Sequence, residues 1–308
     1  MSERFRLGLA GAGRMGRTHL RALSDSPDVA VVCVAEPIDS LRADAVDQFG
    51  VIGHASLESM LEGGGLDGVL IVTPSDTHVA AIATVASAGL PILCEKPCGV
   101  NADDTRRAAE FVRVAGVRLQ VAYWRRFVPA LTALRARIVA GDFGDLLSVS
   151  CLQWDGSPPA SEFRARSGGI FVDMGVHEFD QARWLTGGGV ATMSAAASSS
   201  RSAPGVDDPD AAQVLGLSDA GATVLVSLGR YYPGGDMVSV EVFGTGAHHY
   251  DLFLDPADGE QVQLDALAAQ ASAFAHYARG GDALGASVDD AICALEAAER
   301  AKALTGLA

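Results

Sequence analysis

Residues 6–17, RLGLAGAGRMGR, contain an apolar run, a glycine-rich turn and the start of a helical pattern. Gly11, Gly13 and Gly16 have the spacing of the strand–turn–helix unit that holds the pyrophosphate of a dinucleotide. There the first glycine permits a tight turn, the second lets backbone N–H groups approach the phosphates, and the third lets the helix pack on the strand. The helix N-terminus adds unpaired donors and a partial positive charge. We therefore expect this turn, with Ala12, Arg14 and Met15, to bind a dinucleotide.

A second strand pattern strengthens this expectation. The apolar run at residues 29–35 ends at Glu36, which follows Gly16 by 36 − 16 = 20 residues. A carboxylate in this place binds the adenine ribose hydroxyls. Because Glu36 would repel a 2′-phosphate, the sequence favours NAD over NADP. The alternative is a glycine turn and a strand-end carboxylate without a ligand, which the full context makes the weaker interpretation.

Two later strand ends carry further candidate residues. The apolar run at residues 67–73 is typical of a strand buried on both faces, and ligands of such sheets lie beyond the strand C-termini. We therefore expect cofactor contacts from Thr73, Pro74, Ser75 and His78, although His78 could also be a surface helix residue.

The next strand, residues 91–94, leads into Glu95, Lys96 and Pro97. A lysine held there could place a positive charge beside a developing alkoxide. The alternative is an exposed Glu–Lys pair before a turn, and spacing alone leaves both open.

The order of elements predicts an α/β protein of two domains. Strands and helices alternate up to residue 122, which predicts an N-terminal Rossmann domain, a doubly wound parallel sheet, over residues 1–122. Residues 123–308 predict a C-terminal α/β domain with a large open, mostly antiparallel sheet. Its strands are expected at residues 146–154, 190–197, 211–218, 222–228, 237–243 and 248–254. Two C-terminal helical patterns, residues 264–277 and 288–304, could pack back on the first domain.

A candidate acid–base stripe lies in the second half. If the chain is helical from about Asp173 to Leu185, the spacing places Asp173, His177 and Asp180 on one narrow face, with apolar residues over most of the rest. A neutral His177 could take a hydroxyl proton while Asp173 orients it. The stripe could instead face solvent, or His177 and the two carboxylates could bind a metal, although we expect no metal site.

Composition limits the partners. The formal charge is −15, which argues against nucleic acid or an anionic membrane, and no apolar run approaches the ~20 residues of a membrane span. The five cysteines form no disulfide or zinc pattern, and the first strand starts too early for a signal peptide. We therefore expect a cytoplasmic protein.

Together these motifs resemble the glucose–fructose oxidoreductase/inositol dehydrogenase/rhizopine-catabolism (Gfo/Idh/MocA) family over nearly the whole chain. The resemblance rests on the glycine turn, on Thr73-Pro74-Ser75 with His78, on Glu95-Lys96-Pro97, on residues 125–127 (RRF) and on residues 168–185. The last segment is most similar to inositol dehydrogenases. The resemblance implies a Rossmann domain joined to an α/β domain whose open sheet forms homodimers or homotetramers.

The resemblance also implies residue roles. Lys96 would lie beside the reacting hydroxyl, His177 would act as acid/base, and Asp173 would contact the substrate or His177. It further suggests that the substrate is surrounded by side chains from several elements, namely Tyr123, Arg126, Trp154, Asp155, Arg164 and Asp180. The implied reaction moves a hydride between NAD and a secondary alcohol of a cyclitol or sugar.

One departure bears on the substrate. Inositol dehydrogenases carry a Tyr-Gly-Tyr-Asp stretch, where this chain has Pro233-Gly234-Gly235-Asp236. This leaves the hydride chemistry intact but argues against myo-inositol itself. Two other functions fit the same scaffold: a glycosidase that uses NAD without net turnover, and a non-catalytic binding or regulatory relative.

Overall fold

A computed structural model describes residues 3–164, 166–200 and 208–306. The chain forms two compact units. The first runs as far as Phe127 and includes Leu264–Ala291, and the second comprises Val128–Gln263 and the chain from Ile292 onward. The predicted domains, residues 1–122 for NAD binding and residues 123–308 for substrate binding and oligomerisation, stay a prediction. The compact units differ from them mainly in where residues 264–291 belong.

The first unit contains the predicted doubly wound sheet. Its six strands are all parallel and run in the order β3-β2-β1-β4-β5-β6. They are Phe5–Ala10 (β1), Val29–Ala35 (β2), Ile52–His54 (β3), Gly68–Ile71 (β4), Ile92–Glu95 (β5) and Leu119–Ala122 (β6). The order reverses between β1 and β4, where such sheets bind ligands beyond the strand C-termini.

Five helices connect these strands, as the alternating pattern predicts. They are Arg14–Leu23 (α1), Asp39–Phe49 (α2), Leu57–Glu62 (α3), His78–Ser87 (α4) and Ala102–Ala115 (α5). Single 3₁₀ turns occupy Ser75–Thr77 and Trp124–Phe127. Every residue of β4, β5 and β6 is buried, and all but Glu95 and Gln120 are apolar, as expected for strands covered on both faces. The core also includes Phe274, whose ring meets that of Phe5 edge to face at 5.7 Å.

The second unit is built on a six-stranded, mostly antiparallel sheet, as predicted. Its order is β12-β11-β7-β10-β9-β8, and only β7 and β10 pair in parallel. The strands are Leu146–Trp154 (β7), Val190–Ser198 (β8), Ala211–Ser218 (β9), Thr223–Gly229 (β10), Met237–Gly244 (β11) and His248–Leu254 (β12).

Helices cover one face of this sheet. They are Pro129–Val139 (α6), Ser161–Arg164 (α7), Ile170–Asp173 (α8) and Gly175–Thr186 (α9), while Gly259–Ala278 (α10) and Val288–Leu304 (α11) each have residues in both units. On the covered face, Val149, Cys151 and Val226 are fully buried. The opposite face leaves apolar side chains exposed on several strands, including Leu215, Leu217, Phe243, Tyr250 and Leu252.

One predicted helix is interrupted. The expected helix from Asp173 to Leu185 is two helices, α8 and α9, with a break at Met174, whose φ of −99° departs from helical geometry. The N–H of His177 donates to the carbonyl of Met174, three residues earlier, so the chain tightens at this point. Asp173 therefore ends one helix, while His177 and Asp180 lie on the next. None of the helices in the described ranges has the length and apolar character needed to cross a bilayer.

Candidate active site

The glycine turn has the shape that a bound diphosphate requires. Gly11 has a φ of +99°, and a Cβ there would lie 2.7 Å from the carbonyl oxygen of Val72. A Cβ on Gly16 would overlap the carbonyl oxygen of Gly11, whereas a Cβ on Gly13 would meet nothing within 4 Å. Gly11 and Gly16 thus satisfy the protein's own packing, while Gly13 borders open space at the N-terminus of α1. The open cradle fits the pyrophosphate of a dinucleotide.

Glu36 closes one side of this turn. Its carboxylate is buried, and Oε2 accepts the N–H of Ala12 at 2.9 Å while Oε1 accepts the N–H of Ile38 at 3.0 Å. The acidic side chain therefore lies against the glycine turn, as a ribose-binding carboxylate should, and each oxygen keeps a second lone pair. Arg14 and Met15 begin α1, with Arg14 exposed and Met15 half-buried.

His78 joins two loops at the carboxyl edge of the sheet. Its Nδ1 lies 2.8 Å from the carbonyl oxygen of Pro97, and its Nε2 lies 2.8 Å from that of Thr73. Burial lowers the pKa of His78, and this effect outweighs the two carbonyls and the nearby carboxylates, which raise it. Both ring nitrogens thus face protein backbone. Within the same loop, Thr77 donates its hydroxyl to Thr73 at 2.7 Å, and Pro74 and Ser75 lie nearer the surface.

The Lys96 turn is held by a second buried histidine. The backbone N–H of Lys96 donates to Glu95 Oε2 at 3.0 Å, and Glu95 Oε1 lies 2.8 Å from His19 Nε2. His19 and Glu95 are both buried, and His19 lies on α1, three residues after Gly16. Glu95 therefore links the lysine-bearing turn to the helix that begins at the glycine cradle. His19 is a residue that sequence reasoning missed; its signal was a polar side chain on the apolar face of α1.

Two further predicted residues lie in the first unit, after β6. Tyr123 and Arg126 are buried, and Arg126 Nη1 lies 3.3 Å from Asp290 Oδ2, at the start of α11. Asp290 also accepts the N–H and the hydroxyl of Ser287 at 3.0 Å each. Burial raises the pKa of Asp290, but Arg126 and Ser287 outweigh it and hold that pKa below its usual range. The Arg126 guanidinium is thus fixed by an anchored carboxylate.

The second unit places the acid–base candidates around α8 and α9. His177 and Asp180 are buried on α9, and Asp173, which ends α8, has a side chain that is 16% exposed. A stripe that faces solvent would leave these polar side chains exposed. Instead His177 and Asp180 are buried, as are Glu178 and Gln181 on the same helix. Across the described residues, no cluster of three His, Cys, Asp or Glu side chains could hold a metal ion.

Asp155 belongs with this group, and Trp154 does not. Burial raises the pKa of Asp155, and the carboxylates of Asp236 and Asp173 raise it further, against Gln153 and Arg230, which lower it. Asp155 thus lies near Asp173 on the helix-covered side. The indole of Trp154 projects from the opposite face, where Nε1 donates to the Ser227 hydroxyl at 3.0 Å.

Arg164 is committed to a buried network of charges. Its Nε donates to Asp208 Oδ2 at 2.8 Å, and its Nη2 lies 3.1 Å from Asp210 Oδ1. Arg230 enters the same network, with Nη2 at 3.0 Å from Asp208 Oδ2 and Nη1 at 3.4 Å from Asp173 Oδ2. Sequence reasoning missed Arg230. The available signal was a single arginine directly after the apolar strand β10.

Comparisons with known proteins show the family to which the chain belongs. Residues 5–123 match the family model described as "Oxidoreductase family, NAD-binding Rossmann fold", and residues 131–250 match the model of the GFO/IDH/MocA C-terminal domain. The Rhizobium meliloti rhizopine catabolism protein MocA is 51% identical over 98% of this chain and 95% of its own length.

More distant relatives carry dehydrogenase names. The scyllo-inositol 2-dehydrogenase (NAD(+)) of Bacillus subtilis strain 168 is 32% identical over 89% of this chain and 80% of its own length. A Sinorhizobium meliloti 1021 crystal structure, assigned as a myo-inositol dehydrogenase, superposes with a TM-score of 0.93 at 28% identity, covering 98% of this chain and 97% of that one. The expected fold, NAD-binding domain and dehydrogenase class, acting on CH–OH groups, are confirmed. The chain belongs to the Gfo/Idh/MocA oxidoreductase family.

Proposed function

We propose that this enzyme uses NAD to oxidise or form a secondary alcohol of a cyclitol or sugar, with His177 as acid/base and Lys96 stabilising the substrate oxygen. The observation that carries the proposal is the fixed position of Lys96. It follows β5 at the carboxyl edge of the parallel sheet, and Glu95 ties its backbone to the helix of the glycine cradle. A lysine so placed supplies one compact positive charge near the cofactor end of the sheet.

Sequence composition adds support for a chemical role of this lysine. The chain has only two lysines, Lys96 and Lys302, among 23 basic residues. A chain that otherwise uses arginine retains lysine where a point charge can approach a single oxygen atom. NAD, when bound, takes up or returns the hydride. Lys96 would lower the energy of the alkoxide-like oxygen, because positive charge placed in advance is most effective where negative charge develops.

His177 would move the hydroxyl proton. Its buried position on α9 keeps water away, and Asp173, four residues earlier, would orient the imidazole or the substrate hydroxyl. In the first unit, Gly11–Gly16 and Glu36 would hold the dinucleotide. Thr73, Pro74 and Ser75 would contact it, and His78 would fix their loop to the turn at Pro97. Tyr123, Arg126, Asp155 and Asp180 would line the substrate site.

The names of the relatives support a cyclitol as the substrate. They are named for rhizopine catabolism and for inositol dehydrogenation. The absence of Tyr-Gly-Tyr-Asp before β11, together with 51% identity to the rhizopine catabolism protein, favours rhizopine or scyllo-inositol over myo-inositol. The open face of the second sheet supports a homodimer or homotetramer, because exposed apolar patches of this kind mark association sites. The five cysteines form no disulfide, which fits a cytoplasmic enzyme.

The test is a substrate panel read at the NADH absorbance band. Rhizopine, scyllo-inositol, myo-inositol, aldoses and a methyl glycoside are each offered with NAD or NADP to the wild type and to K96A, H177A and K302A. K96A and H177A should lose about 10²–10⁴-fold in kcat while NAD affinity is retained, and K302A is the matched control. Full activity in either site variant refutes the roles. Glycoside hydrolysis without NADH, or NAD binding with no turnover across the panel, would instead indicate the hydrolase or the non-catalytic relative.

A further inference from the structure

Arg230 is the largest of the fully buried side chains, and its charge is compensated by carboxylates. Its Nη1 lies 3.4 Å from Asp173 Oδ2, and its Nη2 lies 3.0 Å from Asp208 Oδ2. The Nη2 contact lacks hydrogen-bond alignment within the described part of the chain, so it acts through charge. A buried guanidinium is stable only when paired, so its two partners must stay close to it.

The same carboxylate that holds Arg230 also holds the start of α8. Asp208 Oδ1 accepts the N–H of Ile170, the first residue of α8, at 2.6 Å. A carboxylate at a helix N-terminus satisfies an unpaired donor and interacts favourably with the helix dipole. Asp173 is the last residue of this four-residue helix. Both ends of α8 are therefore attached to one ion pair, Asp208–Arg230.

Further charges keep this ion pair in place. Arg164 donates to Asp208 and pairs with Asp210, and the backbone N–H of Arg230 donates to the carbonyl of Asp210 at 2.9 Å. The charged groups around Arg230 are Asp173 on α8, Asp208 and Asp210 before β9, Arg164 on α7, and Asp155 after β7. Two arginines thus face three paired carboxylates. The network contacts the candidate catalytic helix pair at the two ends of α8, Ile170 and Asp173.

We infer that Arg230 is a positioning residue, which holds the Asp173 carboxylate and the short helix α8 in the geometry that His177 needs. This role rests on the proposed function, and Arg230 itself does not contact the reacting atoms. A lysine at position 230 would keep the positive charge but could not span Asp208 and Asp173 with two separate nitrogens. A methionine would keep much of the volume and lose the charge. The two substitutions therefore separate charge from geometry.

The experiment follows His177 by NMR in the intact chain. The chain has seven histidines, and the imidazole Cε1–Hε1 signal absent from H177Q identifies His177. In R230M the His177 titration midpoint should move up by roughly 0.5–1 pH unit, because Asp173, the proposed partner of His177, would lose the positive charge that now pairs with it. R230K should leave the midpoint near its wild-type value. With the best substrate of the panel, both variants should lose about 10–100-fold in kcat with unchanged affinity for NAD.

The matched control is R113M, the same substitution at an exposed arginine on α5 that pairs with Glu110 and lies outside this network. In R113M the His177 midpoint and kcat should both stay near their wild-type values. If R230M does not fold, the test rests on R230K, which should lose kcat while the His177 titration midpoint stays at its wild-type value. An unmoved midpoint in folded R230M, or full kcat in R230K, overturns the inference. Full turnover in H177Q would instead overturn the proposed function, so the two failures are distinguishable.

Discussion

Replacing Gly13 by alanine should weaken NAD binding without destabilising the protein. Gly13 has φ −67° and ψ −163°, which alanine adopts without strain, and a Cβ there meets no atom within 4 Å. Alanine is a poorer helix N-cap than glycine, but it also lowers the entropy of the unfolded chain. These effects oppose each other, so the free energy of unfolding should change by less than about 1 kcal/mol.

The effect on binding should be much larger. The new methyl group would occupy the space where the cradle lets a diphosphate approach the backbone. Displacing the phosphates from their N–H donors should raise the Kd for NAD at least tenfold, equivalent to about 1.4 kcal/mol. Calorimetric titration of the intact chain with NAD measures this, and thermal denaturation without NAD measures stability.

The matched variant is G16A. Its Cβ would overlap the Gly11 carbonyl, and such overpacking costs about 1–3 kcal/mol or more. G16A should therefore melt several degrees lower even without NAD. The reasoning is refuted if G13A binds NAD as tightly as the wild type, or if G13A and G16A are destabilised equally.

Two further predictions concern stability and assembly. The pKa of Asp290 is lower in the folded state than in the unfolded chain. Its ionised carboxylate therefore stabilises the fold fully above the unfolded-state pKa, and this stabilisation is lost as the pH falls through the folded-state pKa. D290N should thus lower the free energy of unfolding, measured by urea denaturation, by about 1–3 kcal/mol at pH 7 and by little at a pH below the folded-state pKa of Asp290. An equal loss at both pH values would contradict the Arg126–Asp290 pairing. Leu215 is 57% exposed at the open sheet face, and L215E should shift a dimer or tetramer to monomers in size-exclusion chromatography with light scattering. V114E, at a 72% exposed position on α5, is the control and should leave the mass in solution unchanged. An unchanged mass for L215E would exclude the open sheet face from the interface.

Periodic features of the fold could be predicted from the sequence. The strands at Leu146–Trp154 and Ala211–Ser218 coincide with the predicted ranges, because alternating burial leaves a period of two in the sequence. The parallel sheet was predictable because buried strands are continuously apolar. The break at Met174 was not, since the apolar spacing continues across it and the interruption is a backbone event that spacing does not record.

Long-range polar pairs were beyond such reasoning. Asp173 and Arg230 lie 57 residues apart, and His19 and Glu95 lie 76 apart. A single buried ion pair leaves no periodic trace, and its partner is known only when the chain has folded. The sequence therefore indicated Lys96, Asp173 and His177 as candidates but could not identify the residues that support them.

These supporting residues explain why the candidate site tolerates so many buried charges. An isolated buried carboxylate or guanidinium is costly, yet Glu95, Asp208 and Arg230 are all buried. Each is stabilised by at least two partners, and in each case one of those links leads to a candidate site residue or to the short helix that carries one. Replacing such a network by apolar side chains could leave stability unchanged, but it would release the turn of Lys96 or the end of α8. The buried polar groups are therefore best understood as fixing functional side chains, which is also why variants of them should alter turnover even where the protein still folds.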